Sequence, residues 1–204
     1  MLGAGLQPLA LLFTPSTAMA VEEPTFQTLV KDGAFELRRY PSLVVAETVV
    51  KGDMDAASNQ GFRRIADFIF GNNSATTADK KTTIAMTAPV VVEPLAPSSG
   101  PDFKSAPEWR VQFVMPGQYS LGTLPRPNNP AVELRQAPAR TAAVLTYSGF
   151  NGEAKVQAKT EELKAWVRAR QLVPLSPPQL ARYDPPWTLP PWRRNEIQIA
   201  VRQP

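Results

Sequence analysis

The chain contains no cysteine and no histidine among its 204 residues. Without cysteine there is no disulfide, no thiolate zinc site, no covalently attached c-type haem and no thiol nucleophile. Without histidine there is no Ser-His-Asp triad, no imidazole base and no imidazole metal ligand. The missing cysteine says little about compartment, because a chain of this length can bury enough surface to stand without staples. No stretch approaches the roughly 20 apolar residues that cross a bilayer as a helix. A P-loop and a dinucleotide-binding glycine pattern are absent as well. The closest carboxylate pairs, Glu161-Glu162 and Asp53 with Asp55, have no metal-site or glycosidase context and read as helix surface, so no metal site and no catalytic residue is assigned.

Charge of one sign is not concentrated either. The net charge is +4, and the pairs Arg38-Arg39, Arg63-Arg64 and Arg193-Arg194 are scattered among acidic residues. A nucleic-acid interface needs a concentrated basic face, so none is expected. What the chain has in excess is proline, 22 residues gathered largely in three stretches, Pro94–Pro107, Pro116–Pro130 and Pro174–Pro191. These read as rigid loops around a compact body.

The first 20 residues carry no charge. An apolar run, Leu9 to Phe13, is followed by Thr14-Pro15-Ser16 and by Ala18-Met19-Ala20, the small-x-small form of a signal-peptidase site. Residues 1–20 are expected to be a signal peptide without the usual basic start, and the chain from 21 onward a single exported, soluble domain. Periplasm, lumen and extracellular space fit equally; an uncleaved leader leaves the protein in the cytoplasm.

The sequence also says one thing twice. Phe35-Glu36-Leu37-Arg38-Arg39-Tyr40-Pro41 returns as Val132-Glu133-Leu134-Arg135-Gln136-Ala137-Pro138, an offset of 97 from Phe35 to Val132. Gly52 corresponds to Gly149 at the same offset, and Ile65, Phe68 and Ile69 to Leu163, Trp166 and Val167 one residue further on. Two copies are too few for a solenoid. They predict one pseudo-two-fold domain, with repeats over about 33–116 and 130–202, and a cleft between the halves is a natural place for a ligand.

Each copy reads strand, strand, helix, strand, strand. In the first, strands are expected at Phe35–Arg39 and Leu43–Val50, a helix capped by Asp53 over Met54–Phe70, two short strands within Thr83–Glu93, and a strand at Trp109–Met115. In the second, strands are expected at Val132–Ala137 and Thr141–Tyr147, a helix over Glu153–Arg170 with Val156, Thr160, Leu163 and Val167 inward, and strands near Gln179–Tyr183 and Glu196–Val201. The fold class is therefore α+β: a distorted antiparallel barrel of about eight strands flanked by two helices.

Two segments point to a family. Lys81-Thr82-Thr83-Ile84-Ala85-Met86-Thr87-Ala88-Pro89-Val90 and Ala181-Arg182-Tyr183-Asp184-Pro185-Pro186-Trp187, continuing to Arg193-Arg194-Asn195-Glu196-Ile197, resemble signature segments of the SOUL haem-binding family. The Phe35–Pro41 opening and the Gly61–Gly71 helix end are similar to it too. The resemblance implies non-covalent binding of haem or another tetrapyrrole in an apolar groove beside the first helix, with basic side chains steadying the propionates. Here the helix positions that carry basic residues in some relatives are Asn59 and Asp67, and His-ligated haem is excluded. Carriage, scavenging or buffering suits such a site better than electron transfer.

On this reading Phe62, Ile65, Ala66 and Ile69 line the groove, although a helix stripe of this kind commonly forms core. Met86 and Tyr183 are the conceivable iron ligands, each with an ordinary structural alternative: core packing for Met86 and a loop hydrogen bond for Tyr183. Trp187, on a proline-rich loop with Leu189 and Trp192, serves as a lid or folds back over the barrel end. Arg193 meets a propionate or, with Arg194, pins the Asp184 loop. Two rival readings are a metal-removing, tetrapyrrole-modifying enzyme and an interaction module that has lost its ligand or takes a lipophilic cation. No protein partner can be named from the residues.

Overall fold

A computed structural model describes residues 21–74, 81–95, 103 and 106–203. The expected leader, 1–20, lies outside them. β1 (Gln27–Asp32) and β2 (Phe35–Tyr40) form a hairpin that turns at Gly33, whose φ of 58° favours a residue without a Cβ. β3 (Leu43–Lys51) runs into α1 (Met54–Ile69), and β4 (Asn73–Ser74), β5 (Val90–Leu95), β6 (Glu108–Val114) and β7 (Arg126–Pro127) follow. The second half holds β8 (Glu133–Ala137), β9 (Arg140–Ser148), α2 (Glu153–Ala169), β10 (Val173–Pro174), β11 (Gln179–Arg182), a 3₁₀ turn (Pro190–Trp192) and β12 (Arg194–Arg202).

The main sheet is antiparallel and curls into a half-barrel in the order β1-β2-β9-β12-β11-β5-β6-β3-β8, with β10 added to β12, while β4 and β7 form a separate small pair. Each half gives its first long strand to the other: β2 lies on β9, and β8 lies on β3. The last residue of β2, Tyr40, opposes the first of β9, Arg140, and the last of β8, Ala137, opposes the first of β3, Leu43. β11 and β5 meet in the middle through three residue pairs.

Side chains alternate across a strand, so the sheet has two faces. Leu37, Ala46, Val92, Val111, Phe113, Ala143, Leu145, Leu180, Ile197 and Ile199 point to the face covered by the helices, where they join two buried clusters. α2 enters the first cluster with Val156, Leu163 and Val167, as its spacing predicts, and α1 enters the second with Ile65, Phe68 and Ile69. Asp53 caps α1, its Oδ1 accepting from the Ala56 amide at 2.8 Å. The helix lies so close to β6 that a Cβ on Gly61 would sit 2.5 Å from Val111 Cγ2.

One strand was not expected, and one expectation is corrected. β1 has no alternating pattern in its sequence and gains its order by pairing with β2. The Thr83–Glu93 segment holds one strand, not two, because Pro89 has no N–H for a ladder and β5 begins just after it. The residues before it are held differently: Ile84 N donates to Ile69 O at 2.8 Å, and Thr87 makes an isolated parallel bridge to Glu22.

Candidate functional site

The residues singled out in the sequence form two separate groups. In the first, Ile65, Ala66 and Ile69 are buried, and Met86 packs half-buried on the same cluster as Ile65 and Ile69. Phe62 differs from its helical neighbours: it is 37% exposed, and its ring tilts on Phe113 at 5.5 Å between centroids. Around it, Arg64 Nη1 donates to Val49 O at 3.0 Å and lies 3.3 Å from Thr48 Oγ1, while Asn72 Nδ2 donates to Asp67 Oδ2 at 2.5 Å. Arg63 is exposed and makes no ion pair among the described residues.

The second group sits where β11 leaves the sheet. Tyr183 Oη donates to Glu196 Oε2 at 2.8 Å, and the Arg194 guanidinium lies 3.6 Å over its ring. Burial, then the Glu196 carboxylate, pushes the Tyr183 hydroxyl far above the ordinary tyrosine range, so it stays protonated. Arg193 is tied to its own loop, Nε donating to Thr188 O at 2.7 Å and Nη2 to Pro186 O. The Arg194 amide donates to Asp184 Oδ2 at 2.6 Å. The loop is thus pinned from within, and it holds Trp187 and Trp192 out into solvent, 83% and 74% exposed, instead of folding them over the barrel.

A third feature was not anticipated. The sheet face away from the helices is polar, yet its curl buries much of it. Glu196, 2% exposed, accepts from Arg38 Nη1 at 3.0 Å, Tyr183 Oη at 2.8 Å and Gln198 Nε2 at 2.8 Å. Burial alone would lower the Arg38 guanidinium, but Glu196, Tyr40 and Glu36 overcome it and hold the pKa above the ordinary arginine value. A second knot joins Glu47 to Gln112 and Arg135, each at 2.7 Å, and Glu93 to Gln179 at 3.0 Å and Arg110 at 3.3 Å. Buried charges persist when paired and hydrogen-bonded in this way. The signal was present in the strands: Glu47, Arg110, Gln112, Arg135, Glu196 and Gln198 recur at period two, where a solvated face was the simpler reading.

At one end of this face a cavity of about 410 Å³ opens between the β2–β3 turn at Pro41 and the β8–β9 turn at Pro138. Leu43, Val45, Val91 and Val114 line it together with Arg135 and Arg140. No helix among the described residues is long and apolar enough to cross a membrane.

The architecture is a curled antiparallel half-barrel with two helices on one face and a cavity on the other. The solved C-terminal domain of EcmrR shares it, with a TM-score of 0.61 at 14% identity over 88% of this chain and 99% of that one. A hydrolase from Listeria innocua also shares it, with a TM-score of 0.54 at 12% identity over 85% and 94% of the two chains. At such identities the likeness concerns the fold alone. The family is fixed by sequence: residues 21–200 match the model of the SOUL heme-binding protein family, and the chain belongs to that family. Heme-binding protein 2 of Homo sapiens is 29% identical over 158 residues, 75% of this chain and 73% of the human protein.

Proposed function

We propose that this protein binds haem or a related tetrapyrrole non-covalently and carries, scavenges or buffers it. Membership of the SOUL family and the name of the human relative support the ligand class. The absence of histidine and cysteine, with Tyr183 protonated and engaged by Glu196, leaves no strong iron ligand, which suits reversible exchange. A leader over residues 1–20, as the sequence leads one to expect, would suit work outside the cytoplasm.

The observation that carries the site is Phe62. It is the member of the α1 stripe whose ring remains open, it stands on Phe113, and the next residue, Arg63, is exposed with no ion pair among the described residues. A porphyrin face against Phe62 would gain roughly 25 cal/mol per Å² of apolar surface removed from water, with Arg63 meeting a propionate. Ile65, Ala66, Ile69 and Met86 then form the packed bed beneath it. On the same reading the two halves are copies of one β-β-α-β-β unit, an origin suited to strands exchanged in equal register.

Titration with haemin, followed at the Soret band, tests this. A saturable one-to-one shift that Phe62→Asp abolishes and Arg63→Glu weakens is expected. A spectrum no different from free haemin, or a shift indifferent to Phe62→Asp, overturns it.

A further inference from the structure

We propose that the cavity on the open face is a separate binding site for an apolar carboxylate of about a dozen non-hydrogen atoms. The volume sets the size. At about 410 Å³, and roughly 30 Å³ per water-sized group, the cavity accommodates about a dozen such groups.

The lining sets the chemistry. The walls are mostly apolar, with Tyr40, Gln112, Thr141 and Gln179 among them; no aspartate or glutamate lines the cavity among the described residues, whereas Arg135 and Arg140 both do. Buried Arg38 and half-buried Arg110 on this face have their anions: Arg38 has Glu196 and Glu36, and Arg110 has Glu93 and Glu47. Arg135 spends its Nε on Glu47. Arg140 has no carboxylate within 4.0 Å among the described residues; its contacts are Gln198 Oε1, 3.3 Å from Nη2, and the Tyr40 ring, 5.6 Å from Cζ. Burial lowers the Arg140 pKa against the opposing pull of Tyr40 and of the more distant Glu93 carboxylate, with a smaller contribution from the positive charge of Arg135.

A guanidinium with no ion-pair partner within 4.0 Å among the described residues, facing a hollow with aliphatic walls, is an arrangement that a carboxylate completes. Its oxygens would take the planar fork of Arg140, and its hydrocarbon body would lie against Leu43, Val45, Val91 and Val114. A lipophilic cation finds the wrong sign of charge here. The site stands apart from Phe62, which does not line it, so it does not depend on the tetrapyrrole reading.

Calorimetric titration of the full chain with decanoate, below its micelle-forming concentration, tests the assignment. Saturable one-to-one binding is expected, with no comparable binding of decyltrimethylammonium. Arg140→Leu should weaken decanoate about tenfold or more, the scale of a lost charge-assisted hydrogen bond. Ala139→Trp, at the exposed mouth, should block entry and decides the matter even if Arg140→Leu does not fold. Phe62→Asp should leave decanoate binding unchanged. The proposal is overturned if decanoate gives no saturable heat, if the alkylammonium binds as well, if Ala139→Trp binds decanoate normally, or if a folded Arg140→Leu does so. Competition between haemin and decanoate overturns the separateness of the site.

Discussion

Arg38 and Glu196, 158 positions apart, join β2 of one half to the last strand of the other, β12, through a buried 3.0 Å contact. Arg38 also holds Glu36 at 2.6 Å, and Phe26 stacks on its guanidinium at 4.2 Å. The ion pair is therefore enclosed by a strand, an aromatic ring and a tyrosine hydroxyl.

Removing one partner leaves the other charged and buried. Glu196→Leu should destabilise the fold by about 3–5 kcal/mol, read by urea denaturation. The double replacement Arg38→Met with Glu196→Leu should recover part of that loss, because no guanidinium is then left without Glu196, while Tyr183 and Gln198 still lack their acceptor. Equal instability of the single and double variants would count against a buried pair.

Gly61→Ala should also destabilise. Alanine in place of a helical glycine ordinarily gains about 0.5–1 kcal/mol. Here its Cβ would meet Val111 Cγ2 at 2.5 Å in the core, and overpacking of that kind costs about 1–3 kcal/mol. The clash should win. Adding Val111→Ala should make the alanine at 61 tolerable, a non-additivity that a double-mutant cycle measures.

Asn73 is buried at the end of α1, where its Nδ2 donates to Phe68 O and Thr82 O, each at 2.7 Å, and its Oδ1 accepts from the Thr82 amide at 3.0 Å. It closes the helix and fastens the segment that leads to Met86. Asn73→Ala should cost about 2–3 kcal/mol through stranded backbone groups, and amide exchange should accelerate at Thr82 and Ile84.

Three of the four tyrosines, Tyr40, Tyr147 and Tyr183, are held above the ordinary value of 10.0, in each case first by burial. Above pH 10 the unfolded chain ionises these phenols and the folded chain does not. Their contribution to stability is therefore complete below pH 10 and declines as the pH rises toward their folded values. Absorbance at 295 nm should reveal less than about half of the phenolate at pH 11 in the native protein compared with the denatured chain. Full phenolate absorbance in the native protein would refute the burial of these hydroxyls.

Much of the fold is legible because its elements carry strong local signals. The Val156, Thr160, Leu163, Val167 spacing places α2, the Asp53 cap starts α1, and the alternation from Trp109 to Met115 gives β6. β1 is not legible, since its order comes from a partner strand and not from its own pattern. The candidate sites are harder to read. Helical periodicity puts Phe62 on the same stripe as Ile65 and Ile69, but only the helix's position over β6 decides which of them stays open. The Glu-Leu-Arg echo is plain in the sequence, yet nothing local reveals that both its arginines, Arg38 and Arg135, turn onto a face that the sheet then curls over. Arg140 is invisible for a related reason: its want of a carboxylate depends on strands far apart in the chain.

The place of β12 in the sheet has a consequence for how the protein is made. Arg194–Arg202 lies between β9 and β11 and carries Glu196, the acceptor for Arg38. A ribosome that has delivered everything up to Arg193 has delivered β9 and β11 with a gap between them, and a guanidinium still waiting for its carboxylate. The sheet can close between β9 and β11 only when β12 has left the exit tunnel, so this pairing comes late in the order of synthesis, and the nascent chain must be kept from misassembly until then.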